Sequence, residues 1–290
     1  MGFKIDSTME DYRRNFNTSD CTAIFSLFKK LKEIKSDAAL INEYLEFSKN
    51  DIKRLEYGLK VIITIPAYNE EKTIGDVISK IKEVMDQTKY CYSYLILVVN
   101  DGSEDETVEE AAKAGVCVFS HQENKGLAET FRTEMKLCCE LGAEIIVHTD
   151  ADGQYKAEEI PLLIEQVENG YDLVLGSRLK GSIEYMPKIN KIGNKAFSFV
   201  ISLLTKQKIT DGQTGFRAFT RKIAEEIQII SDHTYTQEQI IRAAQNSYSI
   251  KEVPVYFSKR NDGESRLMRS PLEYAFRAWK NIFRIYFNKK

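Results

Sequence analysis

From residue 60 onward the apolar positions fall into two alternating rhythms. Val61 to Ile65 is an unbroken, β-branched-rich run that stops at Pro66. A run apolar on both faces predicts a strand buried within a parallel sheet. After a polar loop, Ile74, Val77, Ile78, Ile81 and Val84 recur at spacings of three and four, which predicts a helix. The same pair of signals then repeats. Tyr94 to Val99 reads as a second buried strand, ended by Asn100-Asp101-Gly102-Ser103. A helix follows from Glu104, then a short strand at Val116 to Phe119 and a helix from Lys125-Gly126 to Leu141. Ile145 to His148 reads as a fourth strand leading into Thr149-Asp150-Ala151-Asp152, Glu158 to Glu168 as a helix, and Leu173 to Leu175 as a fifth strand. Phe197 to Leu204 reads as a core helix of about two turns. Residues 206 to 265 are less regular, with a late strand at Ile250 to Phe257.

Alternating strands and helices predict an α/β fold, an open, mostly parallel sheet with helices on both faces. Ligands bind such sheets at the carboxyl ends of the strands. The chemically rich segments gather there: Pro66 to Glu70, Asp101, and Asp150 to Gln154. Residues 1–58 have a different texture. Ile24, Phe25, Leu27, Phe28, Leu31 and Ile34 keep helical spacing, as do Leu40, Ile41, Tyr44 and Leu45, so an N-terminal helical extension is expected. It would cover the sheet edge, pair two subunits into a homo-oligomer, or dock a partner. Residues 59–268 form the α/β domain in this reading, and 269–290 a C-terminal basic amphipathic helix. On that helix Leu272, Phe276, Trp279, Phe283 and Tyr286 share a stripe, with Arg269, Arg277, Lys280, Arg284, Lys289 and Lys290 nearby. Such a helix either lies on a membrane surface or packs on its own domain.

Composition narrows the classes. Of 290 residues, 43% are hydrophobic and 29% charged, enough to bury a sizeable core, and the formal net charge is −2. No global positive field points to nucleic acid, so anion binding must come from local clusters. The five cysteines have no metal-ligand spacing, which fits reduced thiols. No apolar run approaches the roughly 20 residues a membrane span needs, and MGFKIDSTMEDYRRN has no apolar leader segment. The expected location is cytoplasmic, with peripheral attachment at the cytoplasmic face of a membrane.

Asp150-Ala151-Asp152-Gly153-Gln154 is the sharpest chemical signal. Were the chain to leave its strand extended, residues 150, 152 and 154 would share one side. Three hard oxygen ligands suit Mg2+ or Mn2+, with substrate phosphates completing the shell. Alone, the stretch could be a solvated acidic turn. Pro66-Ala67-Tyr68-Asn69-Glu70-Glu71 could simply open a helix, or Tyr68 could stack on a base and Glu70 accept from ribose or base. Asn100-Asp101-Gly102-Ser103 could likewise be only a turn and cap.

Taken in order, I-P-A-Y-N-E-E, V-V-N-D-G-S, N-K-G-L-A, D-A-D-G-Q, L-G-S-R and D-G-Q-T-G-F-R resemble family 2 of the inverting nucleotide-sugar glycosyltransferases, with their GT-A type nucleotide-binding fold. More narrowly, the set is similar to the dolichyl-phosphate (polyprenyl-phosphate) mannose and glucose synthases. The resemblance covers about residues 60 to 267. It implies nucleotide-sugar contacts from Pro66, Ala67, Tyr68, Glu70, Val99, Asp101, Asp150, Ala151 and Asp152. It implies metal ligation by Asp150, Asp152 and Gln154, and a phosphate contact from Arg178. A loop closing over donor and acceptor matches Arg260-Asn261-Asp262-Gly263-Glu264-Ser265-Arg266-Leu267, with Arg266 where the family has lysine. The acceptor-phosphate grip maps to Asn190-Lys191-Ile192-Gly193-Asn194, where Asn194 matches and Asn190 replaces the family's arginine. Lys191 or Lys188 is the stand-in charge.

The resemblance thus implies metal-dependent transfer of a hexose from GDP-mannose or a UDP-sugar to a polyprenyl or dolichyl phosphate. A phosphate monoester is already anionic and needs no general base. A hydroxyl acceptor on a glycan or protein would need one, and Asp211 is the candidate. A non-catalytic nucleotide-sugar binding module is the third reading. Gln239-Ile240-Ile241-Arg242-Ala243 lacks the tryptophan of the Q-x-x-R-W motif of processive synthases.

Overall fold

The computed structural model describes residues 44–46, 60–91, 93–232, 234–259, 281–282 and 284–286. Its eight strands form one sheet in the order β1-β4-β3-β2-β5-β7-β6-β8. The centre is parallel: β2 (Val61–Ala67) lies between β3 (Tyr94–Asn100) and β5 (Ile145–His148), and β3 pairs with β4 (Cys117–Ser120). Every residue of β2, β3 and β5 is buried, as continuous apolar runs demand when helices cover both faces. The covering helices are α1 (Ile74–Asp86), α2 (Thr107–Lys113), α3 (Leu127–Glu140) and α4 (Ile160–Glu168). They seal two apolar cores, one on each face.

The other flank departs from a purely parallel sheet. β7 (Arg217–Thr220) runs antiparallel to both β5 and β6 (Leu173–Ile183), while β8 (Ile250–Phe257) pairs parallel with β6. Between β6 and β7 lies α5 (Lys188–Thr205), with α6 (Arg221–Glu226) and α7 (Tyr235–Gln245) before β8. The core helix expected at Phe197 to Leu204 is therefore the second half of an 18-residue helix. The region read as irregular holds a strand and two helices.

The helix expected around Leu40 to Leu45 is corrected. Tyr44–Glu46 is a strand, β1, paired antiparallel with β4 through Tyr44↔Ser120, Leu45↔Phe119 and Glu46↔Val118. Without it β4 would be an open edge whose N–H and C=O groups lack partners, and edge pairing outweighs a short stretch of helical spacing. The other helices proposed for residues 1–58 lie outside the described residues. So do residues 260–280, and with them Arg260, Arg266 and much of the proposed C-terminal helix. Within 281–286, Ile282 and Ile285 are buried in a core cluster, and Tyr286 packs against it. Gln245 Nε2 also donates to Tyr286 O at 3.0 Å. This part of the segment therefore packs on its own domain. Among the described residues no helix is long and apolar enough to cross a membrane, and Cys91, Cys117, Cys138 and Cys139 are free thiols.

Candidate active site at the carboxyl edge of the sheet

Three loops, after β2, β3 and β5, leave neighbouring strands at one edge, and the first two are stitched together by hydrogen bonds. After β2 the chain turns at Asn69, whose φ is +53°. Asn69 N donates to Ser103 Oγ at 2.9 Å, and Asn69 Oδ1 accepts from Glu104 N at 2.8 Å. Glu70 N donates to Thr107 Oγ1, and Glu71 Oε2 accepts from Glu106 N. The P-A-Y-N-E-E loop therefore rests on the N-D-G-S loop, which explains why both segments are rich in short polar side chains. Pro66 and Ala67 are still within β2, and Val99 is the register partner of Pro66. Tyr68 and Glu70 are half-buried at the edge.

Asp101 is the hub of the second loop. Its amide donates to Ala67 O at 2.8 Å. Oδ1 accepts from Lys125 N at 2.9 Å and pairs with His121 Nδ1 at 2.8 Å, and Oδ2 accepts from Gly126 N at 2.8 Å. Burial pushes the Asp101 carboxyl up, but the His121 bond and the two amides outweigh it and hold the pKa below its ordinary value. From the sequence Asp101 is either part of a turn and cap or a nucleotide contact. The structure adds that it gathers N-K-G-L-A, with Gly126 at φ +88°, to the same edge. Gly102 is required beside it. Its φ is +69°, and a Cβ there would come within 2.5 Å of the Glu123 carbonyl carbon.

Past β5 the chain does not continue extended, so the period-two argument for residues 150, 152 and 154 does not hold. Residues 151–153 form a turn with Gly153 at φ +71°, closed by Gln154 N donating to Asp152 Oδ1 at 3.0 Å. Ala151 is buried, while Asp150, Asp152 and Gln154 are half-buried. Gln154 commits Nε2 to Ser258 O at 3.0 Å and its own carbonyl to Ser258 N at 2.8 Å, so β8 ends against this turn. Asp150 packs against Gly215, where a Cβ would stand 2.8 Å from Oδ1. Among the described residues no three His, Cys, Asp or Glu are grouped as a metal cluster. The donor set on offer is two carboxylates and an amide oxygen. Its chemistry fits a hard cation whose other ligands come from a substrate.

Arg178 and Asp211 stand beside this turn on β6 and the loop before β7. Arg178 Nε donates to Asp211 Oδ2 at 2.8 Å and Nη2 to Oδ1 at 2.9 Å, while the Arg178 amide donates to Oδ2 at 3.0 Å. Asp211 is fully buried, and its own amide donates to Glu252 Oε1 at 2.9 Å. Burial favours loss of the Arg178 proton, but Tyr155, Asp211 and Asp150 together overcome it and raise its pKa. Tyr155, stacked on Phe216, is itself pushed up to about 12 by burial. Of the other acceptor-side candidates, Lys191 is exposed and Asn194 is buried with Nδ2 toward Met186 Sδ.

Arg217 was not singled out in the sequence. Among the described residues it is the largest fully buried side chain. Its guanidinium donates to Thr214 O, to Thr236 O at 3.2 Å and to Gln239 Oε1 at 2.9 Å. This grip shapes the loop that carries Asp211 and Gly215. It also gives Gln239, of the Q-x-x-R stretch, a bonding role inside the domain. The only signal was that an arginine ends the D-G-Q-T-G-F-R motif directly before an apolar pair.

Comparison with known proteins agrees with this architecture. The model of glycosyl transferase family 2 matches residues 62–228. A dolichyl-phosphate hexose transferase of Haloferax volcanii is 32% identical, over 71% of this chain and 85% of its own. A UDP-N-acetylglucosamine–dolichyl-phosphate N-acetylglucosaminyltransferase of Methanococcus voltae is 34% identical, over 67% of this chain and 84% of its own. Among solved structures, glucosyl-3-phosphoglycerate synthase from Mycobacterium tuberculosis, in complex with Mn2+, uridine diphosphate and glucosyl-3-phosphoglycerate, superposes with a TM-score of 0.61. It is 17% identical and covers 82% of this chain and 84% of its own, which establishes a shared fold.

Proposed function

The chain belongs to glycosyl transferase family 2, and from that premise we propose that it transfers a hexose from a nucleotide-sugar to a polyprenyl or dolichyl phosphate, with inversion at the sugar. The observation that carries the reading is the stitched edge, where the loops after β2, β3 and β5 bring Asp101, Asp150 and Asp152 to one end of the sheet. Two relatives named for dolichyl-phosphate acceptors support the choice of acceptor.

Each group then has a job that its surroundings allow. Pro66, Ala67, Tyr68, Glu70 and Val99 line the nucleotide end, and Asp101 holds their loops in register. Asp150, Asp152 and Gln154 would hold Mg2+ or Mn2+, and a cation there offsets the charge gathering on the departing diphosphate. An anionic acceptor needs cations to approach a second anion, because like charges in a closed site repel strongly. Lys191 is exposed for that work, whereas Arg178 stands at the site already paired with Asp211. The hydroxyl-acceptor alternative is less well supported. Asp211, its candidate base, is fully buried with both oxygens held by Arg178.

The test is a screen of purified protein with GDP-mannose, UDP-glucose and UDP-N-acetylglucosamine against a short polyprenyl phosphate and a glycan acceptor, with and without Mn2+. Cation-dependent product on the lipid phosphate is expected from one donor. Product on the glycan alone would overturn the proposal.

A further inference from the structure

β6 does not run straight past the edge of the sheet. Arg217 is the register partner of His148 on β5 and of Leu175 on β6, so Leu175 is level with the last residue of β5. β5 and β6 are both antiparallel to β7 and so point the same way. The residues after Leu175 therefore overhang the edge where the loops after β2, β3 and β5 gather. There the register with β8 breaks. β6 advances from Ser177 to Ser182 while β8 advances only from Pro254 to Tyr256. The surplus forms a bulge, a feature that re-aims side chains beside a site. Gly181 lets the bulge lie against β8, since a Cβ there would come within 2.0 Å of Val255 O. The limb that leaves it is level with the proposed cation turn. Ile183 pairs with Phe257, and Phe257 bridges Tyr155, the residue after Gln154.

The bulge carries two cations in opposite situations. The Arg178 side chain is 10% exposed, with Nε and Nη2 both spent on Asp211. The Lys180 side chain is 37% exposed, and its Nζ stands 2.9 Å from Glu252 Oε2. Glu252 does not depend on that lysine. Its side chain is 2% exposed, Oε1 accepts from Thr210 N at 2.8 Å and Asp211 N at 2.9 Å, and Oε2 accepts from Thr210 Oγ1 at 2.9 Å. A carboxylate offers about four acceptor positions, so Thr210 and Asp211 already satisfy most of this one. An ammonium has three donors on a flexible stem and can hold Glu252 and a second anion at once. The loop that Glu252 braces is also fastened to α5. Ser198 Oγ accepts from Gly212 N at 2.9 Å, and Ser202 Oγ accepts from Ile209 N at 3.0 Å. Lys180 is thus fixed on the α5 side of the edge, the side of Lys191 and Asn194. Other cations of this region are engaged elsewhere: Arg217 is fully buried, and Lys156 lies 4.0 Å over the Tyr256 ring.

We infer that Lys180, presented by the β6 bulge and steadied by Glu252, binds the phosphate of a phosphate-monoester acceptor. The inference deepens, and rests on, the lipid-phosphate reading. Such an acceptor carries close to two negative charges and approaches an edge where Asp150, Asp152 and Asp211 already gather. Arg178 is balanced by Asp211, whereas the half-exposed Lys180 can turn toward the ligand without leaving Glu252 unsatisfied.

The test uses the full chain as wild type, Lys180→Ala and Lys180→Arg. Donor and acceptor KM are measured separately for transfer to a short polyprenyl phosphate. Binding of farnesyl phosphate is titrated by calorimetry beside farnesol, which lacks the phosphate, and a thermal unfolding scan is run in parallel. Lys180→Ala should raise the acceptor KM and the farnesyl-phosphate Kd about tenfold or more, as for one lost charge-assisted contact. Its donor KM and its binding of farnesol should match wild type, and Lys180→Arg should recover most of the lost affinity. Added salt should weaken farnesyl-phosphate binding more in wild type than in Lys180→Ala. Unaltered farnesyl-phosphate affinity in Lys180→Ala, whether or not the unfolding temperature falls, would make the Glu252 pair purely structural and overturn the inference. A rise confined to the donor KM would overturn it as well. If wild type transfers nothing to lipid phosphate, the acceptor reading fails, and binding alone then judges Lys180. Weaker farnesyl-phosphate binding in Lys180→Ala sustains the anion contact, and equal binding, or none in either protein, sinks it.

Discussion

Arg178 and Asp211 form a buried, two-pronged ion pair, with a third bond from the Arg178 amide to the same carboxylate. Two residues that the sequence offers for opposite duties, phosphate binding and general base, instead hold each other. The pair joins β6 to the loop before β7, and Glu252 on β8 braces that loop by accepting from the amides of Thr210 and Asp211.

Breaking this pair from one side should cost more than removing it whole. Arg178→Ala leaves a carboxylate buried without its counter-charge, so a loss of about 3–5 kcal/mol is expected in urea unfolding. Arg178→Met with Asp211→Leu should recover much of that stability while transfer stays abolished. Recovery of activity by the double variant would show that the pair has no part in the site.

Asp152→Ala should leave the fold alone and remove the chemistry. The side chain is half-buried and accepts from Gln154 N to close a local turn, so unfolding should shift by no more than about 1 kcal/mol. Loss of a cation ligand at a departing diphosphate costs several kcal/mol, or about three decades in rate. EDTA should silence wild type, and Mn2+ or Mg2+ should restore it. Activity that survives both EDTA and Asp152→Ala would remove the metal assignment.

The legible parts of the fold were those whose pattern was self-contained. Ile145–His148 and Ile250–Phe257 were read with the bounds that the structure gives, because each run is framed by polar turns. β7 was missed because R-A-F-T is four residues long and begins with an arginine, although that arginine is fully buried. α7 was missed because it buries Thr236, Gln237, Glu238, Gln239 and Arg242, so hydrophobic period says nothing about it. α5 was cut short because the exposed Ile189, Ile192 and Phe199 and the buried Asn194 and Ser198 invert the usual sidedness. The site motifs were legible by residue type. The bonds that join them span from 20 residues, between Asp101 and His121, to 104, between Gln154 and Ser258, and needed the fold.

Gly215 offers a test that leaves every ligand in place. Alanine there would put a methyl 2.8 Å from Asp150 Oδ1 and 3.0 Å from Oδ2, and the carboxylate must move. Cation affinity should fall about 10–100-fold, as when a ligand's supporting shell is disturbed. Titration of Mn2+ by electron paramagnetic resonance reads this directly. Gly193→Ala is the control. A Cβ there meets nothing within 4 Å, and removing a glycine from the interior of α5 should stabilise the protein by about 0.5–1 kcal/mol. Unchanged Mn2+ affinity in Gly215→Ala would separate Asp150 from the metal.

Asp101 predicts how the edge responds to acid. Its carboxylate is 4% exposed and is held by His121 and the amides of Lys125 and Gly126, so its folded pKa lies below the ordinary 3.8. A group with a depressed folded pKa contributes its stability fully above the unfolded value and loses it as pH falls through the folded value. The gap in unfolding free energy between wild type and Asp101→Asn should therefore be constant from about pH 7 to pH 5. It should then narrow below about pH 4. Because the same carboxylate keeps Lys125 and Gly126 beside Ala67, the variant should also bind nucleoside diphosphate more weakly at neutral pH, by about tenfold for one lost charge-assisted contact. Denaturation series at fixed ionic strength give the first quantity and calorimetry the second. A gap that stays the same width down to pH 3 would mean that Asp101 is not titrating against these partners, and the account of how the loops after β3 and β4 are held together would fail with it.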